Sequence, residues 1–178
     1  MKTGRRISNK GFTLVELLIV VIILAILAAI VVPQFSSSTT DAREAALVSS
    51  LANLRSAIDM YYKDHGSYPA SALASGATCP GGGTAGGGAA LSEAAFMSQL
   101  SQYTNLAGLA CSTTDTTFQY GPYLKKDAMP ANPISGISTL LITNTGNLLM
   151  TGNATAAGWK FDVQTGKFIA DDAAFDDR

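Results

Sequence analysis

The sequence is poor in the residues that most enzymes use for catalysis. It contains a single histidine, His65, and only two cysteines among its 178 residues. His65 stands directly before Gly66, a residue type that ends helices, so a capping or surface role is expected for it. No Cys-His pair or Ser-His-Asp set can be nominated from this composition. The sequence therefore predicts that the protein is not an enzyme, and a membrane-anchored enzyme is the least favoured function.

The sequence also lacks a phosphate-binding loop. Its glycine-rich stretch, CPGGGTAGGGAA at residues 79–90, does not follow a strand pattern and is not followed by Lys-Ser or Lys-Thr. A P-loop requires those features, because its backbone amides and its lysine surround the phosphates. Nucleotide binding is therefore not expected. Since the stretch has no apolar periodicity, it is predicted to be a flexible loop.

Acidic residues are absent from the first eleven residues, which carry Lys2, Arg5, Arg6 and Lys10. Positive charge ahead of an apolar segment keeps that end of the chain in the cytoplasm. After Gly11 the balance reverses, with eight Lys and Arg against thirteen Asp and Glu, a formal side-chain balance of minus five. This acidic balance argues against nucleic acid as a partner.

Polar residues are almost missing from Phe12 to Val32, where only Thr13 and Glu16 interrupt the apolar run. As a helix this run would be about 31 Å long, close to the hydrocarbon thickness of a bilayer. The run ends at Pro33 without an A-x-A cleavage site, so the segment is predicted to stay in the protein as a membrane-spanning helix. Glu16 needs a separate reason, because a carboxylate within hydrocarbon costs about 2.5 to 3.5 kcal/mol and marks a functional site.

Residues 36–66 are predicted to continue this helix in amphipathic form. Pro33 removes an amide donor, so it is predicted to kink or locally loosen the helix before this part begins. Asp41 and Glu44 then offer a capping-box-like restart, and Gly66 is the predicted stop. Apolar residues at spacings of three and four form one stripe: Leu47, Leu51, Leu54, Ile58 and Tyr61.

The second half of the chain changes to short apolar segments separated by turn residues. Leu91 to Tyr103 is predicted to be a short packing helix. Strands are predicted in TTFQY, STLLIT, NLLMTG, GWKFDV and GKFIA, with turns at Asn144–Asn147 and Gln164–Gly166. The predicted fold class is α+β, with a long N-terminal helix packed on a C-terminal antiparallel sheet of about four strands.

The aromatic residues of this half allow two interpretations. Trp159, Phe161 and Phe168 alternate as the core of a sheet should. Alternatively, Tyr120, Tyr123 and Trp159 form an adhesive surface. The core interpretation is the one favoured here.

Two further features, a pair of cysteines and a cluster of aspartates, lie in the part of the chain that is predicted to be exported, and each allows two interpretations. Cys79 and Cys111 lie where an oxidising compartment favours a disulfide bond, and two free buried thiols are the alternative. Four acidic residues near the C-terminus could bind calcium or could form a solvated chain end: Asp171, Asp172, Asp176 and Asp177.

The stretch KGFTLVELLIVVIILAILAAIVVPQF, at residues 10–35, resembles the N-terminal cleavage and methylation motif of type IV prepilins and of the pseudopilins of type II secretion. The resemblance implies that a prepilin peptidase cuts after Gly11 and N-methylates Phe12. It also implies a role for Glu16, whose carboxylate would meet the Phe12 amine of a neighbouring subunit and fix the register of the assembly. Near Pro33 the helix is implied to melt when a filament stretches.

The resemblance continues more loosely to Pro69 through YYKDHGSYP. The segments YGPYLKKDAMPANP and GWKFDVQTGKFIADD are similar to parts of pilin-like and pseudopilin-like proteins. The DPWG-x-PY stretch expected of a major pseudopilin is missing. The calcium site of that family is therefore not carried over to this chain.

The expected organisation has five parts. Residues 1–11 are a basic leader that is removed, and 12–35 are a transmembrane and assembly helix. Residues 36–66 are the amphipathic half of that helix, and 67–111 are a variable loop region with a short helix. Residues 112–178 contain the antiparallel sheet and the acidic tail.

The function expected from these features is that of a structural subunit of a type IV pilus-like filament. The alternatives are a pseudopilin of a type II secretion system and a minor pilin that acts as an adhesin or DNA receptor. The expected partners are prepilin peptidase, identical subunits, and an inner-membrane assembly platform with ATPase-driven machinery. Before assembly the chain would cross the inner membrane once, and it would then enter an extracellular pilus or a periplasmic pseudopilus.

Overall fold

The computed structural model describes residues 11–153 and 157–176, without the side chains of residues 31–37. The leader charges, Asp177 and the side chain of Pro33 lie outside the described residues. The chain divides into two compact units, Met1–Ala42 and Arg43–Arg178. In chain order the elements are α1 (Leu14–His65), a short 3₁₀ turn (Pro80–Gly82), α2 (Glu93–Ser101), β1 (Tyr103–Thr104), β2 (Ala110–Cys111), β3 (Leu140–Thr143), β4 (Trp159–Asp162) and β5 (Phe168–Ala170).

A single helix of 52 residues, α1, confirms the long helix predicted from the sequence. The predicted restart at Asp41 does not occur, because the amides inside a continuous helix already have backbone acceptors and need no new cap. The helix ends at His65, and the following Gly66 adopts a φ of 68° and donates its amide to the carbonyl of Tyr62 at 2.8 Å. A left-handed glycine after the last turn is a common helix stop. The loosening at Pro33 stays a prediction.

The apolar stripe of α1 forms one wall of the core of the second unit. All five residues predicted for the stripe, from Leu47 to Tyr61, are at most 3% exposed. Helix α2 contributes Ala95, Phe96 and Leu100 to the same core. It is shorter at both ends than the predicted 91–103. At its start the hydroxyl of Ser92 accepts the amide of Ala95 at 3.2 Å and so caps it, and at its end Gln102 is extended and leads into β1.

The sheet differs in detail from the predicted antiparallel sheet of about four strands. Three strands form it, in the order β3-β4-β5. Strands β4 and β5 are antiparallel and join through the predicted turn at Gln164–Gly166, but β3 is parallel to β4, with Leu140 opposite Trp159. A parallel pair needs a long crossover, and residues 144–158 supply it. Strands β1 and β2 form a separate antiparallel pair that the sequence pattern did not predict.

The buried carboxylate of Asp162, at the end of β4, explains why the predicted hairpin after β3 is wrong. Its Oδ2 accepts the amide and the hydroxyl of Thr145, both at 2.8 Å, and its Oδ1 accepts the amides of residues 164 and 165 at 3.0 and 3.1 Å. The predicted turn at Asn144–Asn147 is therefore bound to the end of β4. For this reason the NLLMTG segment does not fold back along β3 as a strand.

The predicted strand TTFQY is also wrong. The carboxylate of Asp115 accepts the amides of Thr117 and Phe118, each at 2.8 Å. These bonds bend the segment before it can pair, and only Tyr120 forms an isolated bridge, with Thr104.

The aromatic core is confirmed. Trp159 and Phe161 are 0% exposed and Phe168 is 1% exposed. The indole Nε1 of Trp159 donates to the carbonyl of Pro130 at 2.7 Å, which satisfies its polar atom inside the core. An adhesive surface that includes Trp159 is therefore excluded.

The electrostatic environment of Asp162 makes the fold sensitive to acid. Burial by itself raises the pKa of this carboxyl, but the hydrogen bonds from Thr145, Thr165 and Gln164 outweigh burial and hold its pKa well below its usual range. The folded protein thus binds this proton less readily than the unfolded chain. The stabilisation is complete above the unfolded pKa of about 3.9 and is lost as pH falls below it.

Replacement of this carboxylate should destabilise the second unit. Asp162→Asn is expected to lower the free energy of unfolding at pH 7 by about 3 kcal/mol, because several buried donors lose a charged acceptor. Urea unfolding of the full chain can be followed through Trp159, the single tryptophan. Between about pH 4 and pH 2 the wild type should lose stability more steeply than the variant.

A matched control is Asp172→Asn, because Asp172 is only half-buried and its carboxylate accepts the amide of Ala174 at 2.9 Å. The asparagine carbonyl can keep that bond, so this variant should unfold close to the wild-type midpoint. Equal losses in the two variants would contradict the role assigned to Asp162.

Candidate functional site

The start of α1 carries the residues that the sequence marks for processing and assembly. Gly11, Phe12 and Thr13 precede the helix and are exposed. The hydroxyl oxygen of Thr13 accepts the amide of Glu16 at 3.2 Å, and its carbonyl accepts the amide of Leu17 at 3.2 Å. Thr13 is therefore the N-cap residue of the helix.

Glu16 completes a reciprocal capping box with Thr13. Its Oε2 accepts the amide of Thr13 at 2.9 Å and the hydroxyl of Thr13 at 2.8 Å. In this arrangement each residue satisfies a backbone donor of the other. The carboxylate is thereby held at the first turn of the helix, and its Oε1 accepts no hydrogen bond from the part of the chain that the structure describes.

The structural role of Thr13 was missed by the sequence interpretation, which treated it only as a polar residue in an apolar run. The signal is present in the sequence as Thr-Leu-Val-Glu, which fits the Ser/Thr-x-x-Glu pattern of a capping box. The similar spacing of Asp41 and Glu44 lies inside the continuous helix, where no cap is needed.

An extensive apolar surface follows the capping box. Side chains on all sides of α1 contribute to it, as expected for a helix made for an apolar environment. Eleven of them are 50–62% exposed: Leu17, Leu18, Ile19, Val20, Val21, Ile22, Ile23, Leu24, Ile26, Leu27 and Ile30.

Within the described part of the chain, no helix combines the length and the apolar character needed to cross a membrane.

The second unit contains the predicted disulfide bond between Cys79 and Cys111, whose Cα atoms are 5.7 Å apart. Cys111 lies in β2 and is fully buried. The bond ties the start of the glycine-rich loop to the small sheet, and the alternative of two free thiols is therefore wrong.

His65 lies in an aromatic cluster rather than on the surface. Its ring stacks on Tyr61 with the ring centroids 4.0 Å apart, and Tyr120 and Tyr123 contact it edge-on. Its Nδ1 lies 3.0 Å from the carbonyl oxygen of Tyr61, and its Nε2 lies 3.0 Å from the hydroxyl of Thr104. The first contact lies at the last turn of α1 and the ring is half-buried, so the capping or surface role stays a prediction.

The acidic tail is partly built into the fold. The carboxylate of Asp171, which is 4% exposed, accepts the amide of Asn153 at 2.9 Å, and that of Asp176 accepts the amide of Gly152 at 2.8 Å. A solvated chain end is thus the wrong description of Asp171. Among the described residues, no group of three or more His, Cys, Asp or Glu side chains is placed to hold a metal ion.

Comparison with known proteins finds one family match, in the N-terminal segment. Residues 6–32 match the prokaryotic N-terminal methylation motif, which is the signature of type IV pilins and pseudopilins. The matched range includes the capping box and most of the exposed apolar surface. No curated protein matches the chain, and no solved structure matches it.

The motif supports a type IV pilin-like or pseudopilin subunit. Proteins with this motif are structural rather than enzymatic. The motif implies processing by prepilin peptidase, a membrane-anchored precursor and assembly into a pilus or pseudopilus.

Removal of the disulfide should destabilise the second unit. Cys79 and Cys111 are 32 residues apart in sequence, and closing a loop of this size contributes about 3 to 4 kcal/mol in the chain-entropy model. Reduction of the wild type is therefore expected to lower its free energy of unfolding by about that amount, as measured by urea unfolding with and without a reductant. The control is the double variant Cys79→Ala/Cys111→Ala, which should be insensitive to reductant. An unchanged wild-type midpoint after complete reduction would contradict this assignment.

Proposed function

We propose that the protein is a structural subunit of a helical type IV pilus-like filament. In this proposal prepilin peptidase cleaves the chain between Gly11 and Phe12 and methylates the new amino group of Phe12. The subunits then polymerise through residues 12–35, and Pro33 allows the helix to loosen under tension. The observation that supports the proposal most directly is the capping box of Thr13 and Glu16, set in the methylation motif at the start of an exposed apolar helix.

Cleavage would give Glu16 its partner. The new amine at Phe12 is positive, and an unpaired charge within an apolar bundle is unfavourable. The capping box uses Oε2 of Glu16, and Oε1 accepts no hydrogen bond from any described residue. A neighbouring subunit, staggered along the bundle, can place its Phe12 amine against this carboxylate. A shift in stagger would separate the two charges, so the pair specifies the register of the subunits.

The proposed route begins in the inner membrane. The basic residues of the leader 1–11 keep the N-terminus in the cytoplasm, and residues 12–35 anchor the precursor in the bilayer. An assembly platform and its ATPase-driven machinery then move the subunit into the filament. Residues 36–66 and the regions 67–111 and 112–178 lie on the exported side.

A pseudopilin of a type II secretion system is the second candidate. The methylation motif is shared by both classes, so this motif alone favours neither. The two classes differ in the final location of the processed chain, which is the cell surface for a pilus and the periplasm for a pseudopilus.

Intact mass spectrometry of the native protein tests the proposal. The chain is measured separately in surface filaments removed by shearing and in washed membranes. A chain that begins at methylated Phe12 in the sheared fraction is the expected result for a pilus subunit. Processed chain in membranes alone would support the pseudopilin instead, and an uncut chain beginning at Met1 in both fractions would overturn both candidates.

Neutralisation of Glu16 should separate processing from assembly. Glu16→Gln can keep the capping box, because glutamine also serves at this position, but it cannot form an ion pair with the Phe12 amine. The expected result is processed chain at the wild-type level and a filament yield lower by about tenfold or more.

The matched control is Thr13→Ala, which keeps the carboxylate and removes the side-chain cap at a cost of about 1 kcal/mol. It should assemble better than Glu16→Gln. If Glu16→Gln gave filaments at the wild-type yield, the register role of Glu16 would be wrong.

A further inference from the structure

The peptide bond that the proposed cleavage would break lies just outside α1. Gly11 and Phe12 are exposed and belong to neither a helix nor a strand, and α1 begins at Leu14. Among the described residues, none donates a hydrogen bond to the carbonyl of Gly11 or to that of Phe12. The backbone on both sides of this bond is therefore free to be bound by another protein.

An apolar helix has a reason to continue across this bond. The first amides of any helix have no acceptor within the helix, and an unsatisfied amide in an apolar medium is unfavourable. A helix that enters such a medium therefore gains by growing until its first amides reach water or a cap. Phe12 and Thr13 are residue types that helices tolerate in their interior.

The capping box supplies the acceptor that stops this growth. If α1 began at Phe12, the amide of Glu16 would donate to the carbonyl of Phe12. The amide of Val15 would likewise donate to the carbonyl of Gly11. In the structure the amide of Glu16 donates to the hydroxyl oxygen of Thr13 instead, at 3.2 Å. Because this amide is already satisfied, growth of the helix toward Phe12 would exchange one hydrogen bond for another and add none there.

The second bond of the box acts in the same direction. The amide of Thr13 donates to Oε2 of Glu16 at 2.9 Å, so the residue next to the bond also has its donor satisfied without a longer helix. Gly11 adds to the effect, because glycine is a poor helix residue. A β-carbon at Gly11 would meet no described atom within 4 Å, so packing within the described chain does not require a glycine there.

From these bonds we infer that Thr13 is a positioning residue for cleavage, because its capping box ends α1 at Leu14 and keeps the Gly11–Phe12 bond outside the helix. The inference rests on the proposed function and adds a determinant of its first step. It assigns to the hydroxyl of Thr13 a role that is separate from the register role proposed for the carboxylate of Glu16.

The chemistry of hydrolysis explains why the bond has to lie outside the helix. A water molecule adds to the carbonyl carbon of Gly11, the bond from that carbon to the nitrogen of Phe12 breaks, and a proton passes to the nitrogen. The products are a carboxylate at Gly11 and an ammonium group at Phe12. The peptidase has to stabilise negative charge on the carbonyl oxygen during this step. A carbonyl bonded within a helix would first have to open locally, which lowers the fraction of chains ready for cleavage.

The rate of cleavage of the full precursor tests this role. Precursor in detergent is mixed with membranes that contain prepilin peptidase, and intact mass gives the amount of chain that begins at Phe12. Thr13→Val keeps the branched shape of the side chain and removes the oxygen that accepts the Glu16 amide. Its initial rate should be lower by about fivefold, the factor that corresponds to loss of an N-cap. Urea unfolding of the second unit, followed through Trp159, should not change.

Thr13→Ser and Thr13→Asn are the matched variants, because both side chains also cap helices. Each should be cleaved within about twofold of the wild-type rate, since each keeps an acceptor for the Glu16 amide. Asparagine has neither the hydroxyl nor the methyl group of threonine. If Thr13→Asn were as slow as Thr13→Val, the peptidase would be reading the threonine itself and the inference would be wrong.

Backbone carbon chemical shifts of the full precursor in detergent micelles give a readout without the peptidase. In Thr13→Val the shifts of Gly11 and Phe12 should move toward helical values, and in Thr13→Asn they should stay at the wild-type values. Unchanged shifts in Thr13→Val, or cleavage of that variant at the wild-type rate, would overturn the inference and leave the proposed function standing. A wild-type precursor that the peptidase does not cut would remove the proposed function and this inference together.

Discussion

The first half of α1 has an apolar surface that has to be covered from outside its own unit. The large apolar side chains from Leu17 to Ile30 each expose half or more of their surface. Transfer of such surface out of water is favourable by about 25 cal/mol per Å², so its burial against other apolar groups would stabilise the helix. The second half of the helix is different, because the stripe from Leu47 to Tyr61 is covered by α2 and the sheet.

The buried stripe in the second half of α1 is the part of the fold that the sequence predicts most accurately. Spacings of three and four residues place apolar side chains on one face whatever the rest of the fold does, so the stripe could be predicted from local pattern alone. The alternation of Trp159, Phe161 and Phe168 was equally local. The predicted hairpin after β3 is wrong because the carboxylate of Asp162, distant in sequence, binds Thr145 and holds the turn at the end of β4. A long-range hydrogen bond of this kind leaves no periodic signal.

The candidate site shows the same division. Glu16 could be singled out because a carboxylate in an apolar run is costly wherever the run goes. Its partner Thr13 is also predictable, since the capping-box spacing is local, although a threonine within an apolar run is equally compatible with a plain membrane segment. The aromatic contacts of His65 could not have been predicted, because Tyr120 and Tyr123 reach it only through the packing of segments distant in sequence.

Apolar burial alone cannot specify a filament. The hydrophobic effect is not directional, so helices covered only by apolar contacts can slide past one another with little change in buried area. An ordered assembly needs contacts that are lost when the stagger changes. In the filament that we propose, the carboxylate of Glu16, fixed at the helix start by Thr13, supplies one such contact. A shift in stagger would separate this carboxylate from the amine of the neighbouring subunit, whereas it would change the apolar contacts little.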